Sequence, residues 1–516
     1  MKIERTKNAS RNMFFGIIQK IYTIAVPFLM RTAMIYFMGV QYLGLNSLFT
    51  TILSVLNLAE LGVGSAMVFS MYKPIAEDDS EKICALMRLY KIYYRVIGLV
   101  IAVLGIALIP FLPNLIKSDV PQGINIYILY LLNLGTTVFT YWLFAYKNCL
   151  LSAHQRNDVG TKIGMIISTF TYILQFLCLW LLRDYYIYLI IAFATGILSN
   201  IVTAIVTTKM YPDYKAKGEL PKEERKQINK RVRDLFTAKL GGTIVNSVDT
   251  IVISAFLGLS TLAIYQNYYF IMNSVMGFVM IIFTSCTAGI GNSLVTETKE
   301  KNYFDFKKLA FLIIWIATVC ISCFICLYQP FMKIWVGEKY LLGMDIVVLL
   351  CVYFYLYLVN NLSCVYKDAG GIWHEDRFRP LIGGLANLVM NLMMVQYIGI
   401  YGILLSTIIS YIMVAMPWVI HNVFKLVFKR SPKEYVLMIL KGALVSTVIA
   451  SLCYVICQLV PLQGILQLIV NGAICLVVSN TALIIIYRHN KMYIPFLDLL
   501  DRVTKNKFHF IIKKLK

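Results

Sequence analysis

The chain has 516 residues, 59% of them hydrophobic and 14% charged, with a mean hydropathy of +0.72. A soluble chain of this length would form three or four domains of roughly 150 residues with far more polar surface, so an integral membrane protein remains. The formal net charge of +22 would suggest a nucleic-acid partner if the basic residues formed one patch, but they lie in short blocks between apolar runs and no nucleic acid is expected.

Uninterrupted apolar stretches predict an all-α bundle of about 14 transmembrane helices, taking roughly 280 residues at about 20 each. Outer-membrane barrels are excluded, because their strands alternate apolar and polar over about ten residues. The N-terminal lobe, 1–208, holds Phe14 to Met38, Leu45 to Tyr72, Ile92 to Leu112, Ile124 to Tyr146, Ile163 to Leu182 and Ile187 to Thr208. A basic linker, 209–234, follows. The C-terminal lobe, 235–420, holds Leu235 to Leu257, Ala263 to Ile290, Leu309 to Leu327, Met344 to Tyr366, Leu381 to Tyr397 and Ile403 to Ile420. The segment 421–487 supplies a final pair, Val436 to Val460 and Ile465 to Tyr487, before a basic tail, 488–516.

Positively charged loops resist translocation, so Lys and Arg set the orientation. With the N-terminus inside, the inner segments and inner helix ends hold about 42 of the 48 Lys and Arg residues. The outer loops keep Lys117, Arg183, Lys333 and Lys339, while Lys20 and Arg31 sit in the first helix. Both ends are therefore expected in the cytoplasm. The first helix is not read as a cleavable signal, since it is too long, carries two cations and has no small-residue cleavage site after it. In the linker, Ile228, Val232, Leu235 and Phe236 recur at helical spacing among basic residues, which predicts an interfacial helix on anionic lipid headgroups. Phe496, Leu499, Leu500 and Val503 make a similar face in the tail, where a solvated basic segment is the other reading.

The first outer turn, Phe37-Met-Gly-Val-Gln-Tyr-Leu-Gly-Leu45, resembles Phe256-Leu-Gly-Leu-Ser-Thr-Leu-Ala-Ile264. Each closes the first helix of a lobe and opens the second. Six helices per repeat would keep both copies in one orientation, related by an axis along the membrane normal, with a substrate path between the lobes. Chance similarity of apolar sequence is the alternative.

An ionisable group at mid-bilayer costs about 2.5 to 3.5 kcal/mol on the insertion scale, so it should face a partner or a watery cavity. Arg31 lies about 17 residues into the first helix, roughly 25 Å at about 1.5 Å per residue, beyond Pro27. Its planar fork suits a phosphate-bearing substrate, and a salt bridge or outward snorkelling is the other reading. Glu60 stands near the middle of the second helix beside Gly62, Gly64 and Ser65, which permit close approach or unwinding. Asp249 lies in the seventh helix, and the repeat places it opposite Met30, next to Arg31. Both carboxylates are candidates for ion coupling or for a charge network. Lys239 and Lys20 read as snorkelling anchors.

No catalytic residues, cofactor or metal are expected. There is no phosphate loop, no His-Glu-x-x-His and no Gly-x-Ser-x-Gly. Cys320, Cys323 and Cys326 recur at helical spacing inside an apolar run and read as packing. Short outer loops favour transport over catalysis, with a drug or cation antiporter among the transport readings and a multipass glycosyltransferase as the enzymatic one.

Arg11-Asn, Pro27-Phe-Leu-Met-Arg-Thr32, Tyr42-Leu-Gly-Leu-Asn-Ser-Leu-Phe49, Leu56-Asn-Leu-Ala-Glu-Leu-Gly-Val-Gly-Ser-Ala66, Tyr72-Lys-Pro-Ile-Ala76 and Leu151-Ser-Ala-His-Gln-Arg156 carry a resemblance. They resemble the polysaccharide-repeat flippases of O-antigen, capsule and exopolysaccharide export, within the multidrug/oligosaccharidyl-lipid/polysaccharide exporter superfamily. The resemblance implies two pseudo-symmetric six-helix lobes in a V-shaped bundle plus two C-terminal helices. It also implies translocation of an undecaprenyl-pyrophosphate-linked oligosaccharide across the bacterial plasma membrane by alternating access, coupled to a proton or sodium ion. Arg31 matches the family's first-helix basic position in kind.

Overall fold

A computed structural model describes residues 5–503 apart from Leu61, Ser118 and Asp119. All regular structure among the described residues is helical. Among the described residues, ten helices are long and apolar enough to cross a membrane, or eleven counting one bent pair, so the expected fourteen is not confirmed. The second predicted helix is two short pieces rather than one span. The chain divides into two compact units, Met1–Ala263 and Ile264–Lys516.

In the first unit the helices are α1 (Arg5–Phe37), α2 (Val40–Leu56), α3 (Val63–Ala76), α4 (Ser80–Leu108), α5 (Leu112–Leu115), α6 (Ile126–Trp142), α7 (Asn148–Ala153), α8 (Asn157–Leu177), α9 (Tyr185–Met210) and α10 (Lys222–Leu257). Their starts are written in the sequence. Asp79, Asn125 and Asp184 each precede a helix and accept hydrogen bonds from its first amides, satisfying donors that have no partner inside the helix.

The basic linker is helical, as expected, and one side of it meets protein while its Lys and Arg side chains stay mostly exposed. α10 runs without interruption from Lys222 to Leu257, and its N-terminal half docks on protein. Lys82 pairs with Glu224 at 2.8 Å, Arg231 lies over the Phe69 ring at 4.8 Å, and Ile228 is buried. Farther along, α10 packs on α2 and α3, which is why this helix belongs to the first compact unit. The side chain of Lys239 lies outside the described residues.

The two turns that suggested a repeat share a backbone. Gly39 before α2 has φ 110 and ψ 163, and Gly258 after α10 has φ 89 and ψ 169. Only glycine adopts that region without strain. Close approach accompanies the turns: a Cβ built on Gly44 would stand 2.3 Å from the Leu259 carbonyl oxygen.

In the second unit the helices are α11 (Leu259–Thr296), α12 (Lys299–Trp335), α13 (Met344–Ala369), α14 (Arg379–Ile398), α15 (Ile400–Ser410), α16 (Met416–Asn422), α17 (Lys433–Gln458), α18 (Gly464–Tyr487) and α19 (Tyr493–Val503). The first residues of α11 still lie in the first unit. The core is aromatic, with Phe306 against Tyr366, Phe424, Phe428 and Tyr435 at ring separations of 4.7 to 5.8 Å. α17 and α18 pack on α12. In α19, Phe496 stacks on Trp315 at 4.9 Å, and Phe496 and Leu497 are buried. That part of the tail's apolar face covers protein rather than headgroups. The side chains of Leu499, Leu500 and Val503 and the basic residues from Lys505 onward lie outside the described residues.

Gly44→Val should therefore destabilise the first unit by about 1–3 kcal/mol through overpacking. The measurement is a lower thermal unfolding midpoint in detergent, with Gly164→Ala, where nothing lies within 4 Å of the new Cβ, as the unaffected comparison.

Candidate functional site

The most informative site begins with a failure of helix. α2 stops at Leu56, a 3-10 turn spans Asn57–Glu60, and α3 restarts at Val63 behind Gly62, whose φ is 90. The glycines beside Glu60 thus mark an actual unwinding. Breaking a helix in an apolar medium frees backbone groups and is tolerated where the break is buried in protein or meets a polar cavity. A second break lies close by. α6 bends by 48° into the 3-10 turn Ala145–Lys147 and α7, with Phe144 held at φ 60, a conformation uncommon for a bulky side chain.

Both breaks open onto one cavity of about 880 Å³, and Glu60 and Phe144 line it. Its wall also carries the amides Gln19, Asn148, Asn157 and Asn200 and the hydroxyl groups of Ser65, Thr161 and Thr203. Phe69, Tyr72 and Tyr90 add rings. Among the described residues, Glu60 is the one formally charged side chain in that wall.

Tyrosines hold Glu60. Tyr94 donates to Oε1 at 2.6 Å and Tyr141 donates to Oε2 at 2.5 Å. Tyr90 in turn donates to the Tyr94 hydroxyl at 2.7 Å. The rings of Tyr90 and Tyr94 meet edge to face at 4.4 Å, with Tyr141 at 5.4 Å from Tyr94. No ion pair to Glu60 occurs among the described residues. Hydrogen bonds to a charged acceptor are short and about twice as strong as neutral ones, so this cage offsets part of the cost of keeping a carboxylate out of water.

The other two sequence candidates lie elsewhere. Arg31 is half-buried on α1 and interacts electrostatically with Tyr188 of α9. Asp249 is half-buried on α10 between the buried Val248 and Thr250. Neither lines the cavity that contains Glu60. The tyrosine cage escaped sequence reading, although Tyr90 and Tyr94, one turn apart on one helix face, were the available signal. Tyr141 had none, since nothing in sequence places α6 beside the break.

Amides and hydroxyls both donate and accept hydrogen bonds and can exchange partners with a ligand, and a volume of this size accommodates a small molecule. Both oxygens of Glu60 are engaged by hydroxyl groups.

Comparison with known proteins fits this architecture. The fold is similar to lipid II flippase MurJ in an inward closed conformation, at 16% identity and a TM-score of 0.64 over 92% of this chain and 99% of that one. It is similar to an inward-facing multidrug resistance MATE family transporter of the MOP superfamily, at 15% identity and a TM-score of 0.61 over 79% of this chain and 94% of that one. No curated protein matches the sequence. At such identities the structural likenesses establish the fold. The family assignment comes from residues 9–287, which match the family described as polysaccharide biosynthesis protein and include both helix breaks and the Glu60 cage. The chain is a multi-pass membrane protein that belongs to the polysaccharide biosynthesis protein family.

Proposed function

We propose that this protein is a flippase that moves an undecaprenyl-pyrophosphate-linked oligosaccharide repeat unit across the bacterial plasma membrane by alternating access. The observation that carries the reading is the amide- and hydroxyl-lined cavity with aromatic rings and the caged carboxylate of Glu60 in its wall. Sugar hydroxyls need many exchangeable hydrogen-bonding partners, and the apolar faces of sugar rings pack on aromatic side chains. A cavity selecting an organic cation would gain from more negative charge than one carboxylate whose oxygens are already engaged. The charge asymmetry of the loops supports an orientation with both termini in the cytoplasm.

Arg31 serves the pyrophosphate or the charge network that gates it, because its guanidinium stays protonated and binds paired oxygens. In a strain lacking the native gene, Arg31→Ala is expected to abolish surface polysaccharide while membrane abundance stays normal. Arg31→Lys restores part of it, since the charge returns without the fork. Full export by the alanine variant, or unchanged polysaccharide on deletion of the gene together with lost resistance to a cationic dye, would overturn the reading and favour a drug antiporter.

Glu60 and Asp249 couple transport to an ion. A proton or a sodium ion on Glu60 competes with the hydroxyl donors of Tyr94 and Tyr141, so occupation changes the packing of α4 and α6 at the helix break. Coupling requires that the ion bind the two conformations with different affinity. Flipping of a fluorescent polyprenyl-pyrophosphate sugar in proteoliposomes should rise with an imposed gradient of the coupling ion. The Glu60→Gln, Asp249→Asn double variant should lose that response. A double variant that still responds fully would remove both carboxylates from the coupling mechanism.

A further inference from the structure

The second unit contains a group of thiols that the transport reading leaves unused. Cys326 on α12, Cys457 on α17 and Cys475 on α18 are all buried, and their sulfur atoms lie within 4.8 Å of one another. Cys323 and Cys453 also interact with the Cys475 thiol. Five of the twelve cysteines thus meet from three helices. They are adjacent in sequence only as the pairs Cys323/Cys326 and Cys453/Cys457, so no sequence motif shows the group.

Two further facts bear on the cluster: a route to it and an unsatisfied amide beside that route. Cys326 and Cys457 line a cavity of about 770 Å³ whose mostly apolar wall also carries Gln329, Gln458, Gln467 and the cation Lys333. Asn471, one helical turn before Cys475, lines the same cavity, is 2% exposed, and its Oδ1 has no hydrogen-bond partner. A buried unsatisfied carbonyl costs free energy that a bound ion or its water would relieve.

We propose that Cys326, Cys457 and Cys475 bind a soft d10 metal cation, entering from the cavity beside Asn471. A metal about 2.3 Å from each of three sulfurs sets them about 4 Å apart, a contraction the clustered thiols can make by rotation about χ1. Thiolates select Cu(I) and Zn(II) over hard cations. The residues packed around the thiols are apolar, including Ile449, Leu483, Trp315 and Val319, so the net charge left on the complex must be small. The thiolate is the ligand, so each sulfur that binds first gives its proton to water in the cavity, and Cu(I) on two thiolates carries one negative charge, with the Lys333 ammonium in the same cavity wall as its counter-charge. No oxidation or reduction occurs. Cu(I) suits the site better than Zn(II), because two or three soft sulfurs complete its coordination whereas Zn(II) takes four ligands. The bound ion would tie α17 and α18 to α12.

The test uses the reduced full-length protein in detergent under anaerobic conditions, titrated with Cu(I) and separately with Zn(II), each held by a competing chelator. We expect one equivalent of Cu(I) by elemental mass spectrometry, at least tenfold weaker binding in Cys475→Ser, and unchanged binding in Cys286→Ser. Because two protons leave, apparent affinity should fall about a hundredfold per pH unit of acidification. A second measurement covers the case in which Cys475→Ser misfolds: in the wild-type protein, metal should slow maleimide labelling of Cys326 and Cys457 and leave Cys286 unaffected. One equivalent of Zn(II) with the same protection pattern would support the site and assign it a divalent ion. Failure to hold either ion, equal binding by a folded Cys475→Ser protein, or a disulfide among these cysteines in the protein as isolated would overturn the proposal.

Discussion

A hydrocarbon solvent offers a backbone amide nothing to bond to, and the rest of this structure follows from that constraint. Almost every apolar stretch is helical because a helix satisfies its own N–H and C=O groups. Even the hydroxyl side chains are returned to their own helices: Thr32 donates to Phe28 O, Ser70 to Ala66 O, Thr136 to Leu132 O and Ser274 to Phe270 O. A polar side chain that bonds one turn back costs the helix little and asks nothing of the lipid. The exceptions are therefore informative. Where α2 gives way to α3 and where α6 bends, the chain abandons regular helix, and both places border the same polar cavity.

The two units spend their polar residues differently. In the first, amides and hydroxyls line a cavity and Glu60 is held by phenols. In the second, amides line a cavity beside the thiols, and a further set is sealed among helices, as in the network of Asn387, Asn391, Ser406 and Thr407, all buried. Sealed networks fix one arrangement of helices, because every member must find its partner in the dry interior. An open polar wall leaves its partners to be supplied by water or a ligand. Aromatic packing around Phe306 strengthens the contrast, since interlocked rings resist small displacements.

Glu60 shows how far sequence reading reaches into a site. Its place within an apolar run marks it as costly, and Gly62 and Gly64 beside it announce a weak helix. Those are local properties and were legible. What the carboxylate meets was not, since Tyr94 and Tyr141 come from helices far along the chain. Arg31 and Asp249 were equally visible as intramembrane charges, yet depth in a helix gives no azimuth, and neither lines the Glu60 cavity. The linker helix makes the same point in reverse. Its basic, amphipathic face suits lipid headgroups in composition, yet nothing local shows that Lys82 would pair with Glu224 or that Arg231 would lie over Phe69.

Composition and apolar run length determined by themselves that this chain lives in a bilayer as an all-helical bundle, because the lipid selects helices without regard to tertiary contacts. Local signals likewise determined the helix starts at Asp79, Asn125 and Asp184 and the paired glycine turns at Gly39 and Gly258, where capping and positive φ are properties of a few consecutive residues. Tertiary structure alone decided that α10 joins the first unit, that two broken helices share one cavity, that three tyrosines converge on Glu60 and that five cysteines meet in the second unit. Each of those depends on which faces of distant helices touch, and a face is chosen by packing geometry between helices, which an apolar sequence repeats too uniformly to encode in any one segment.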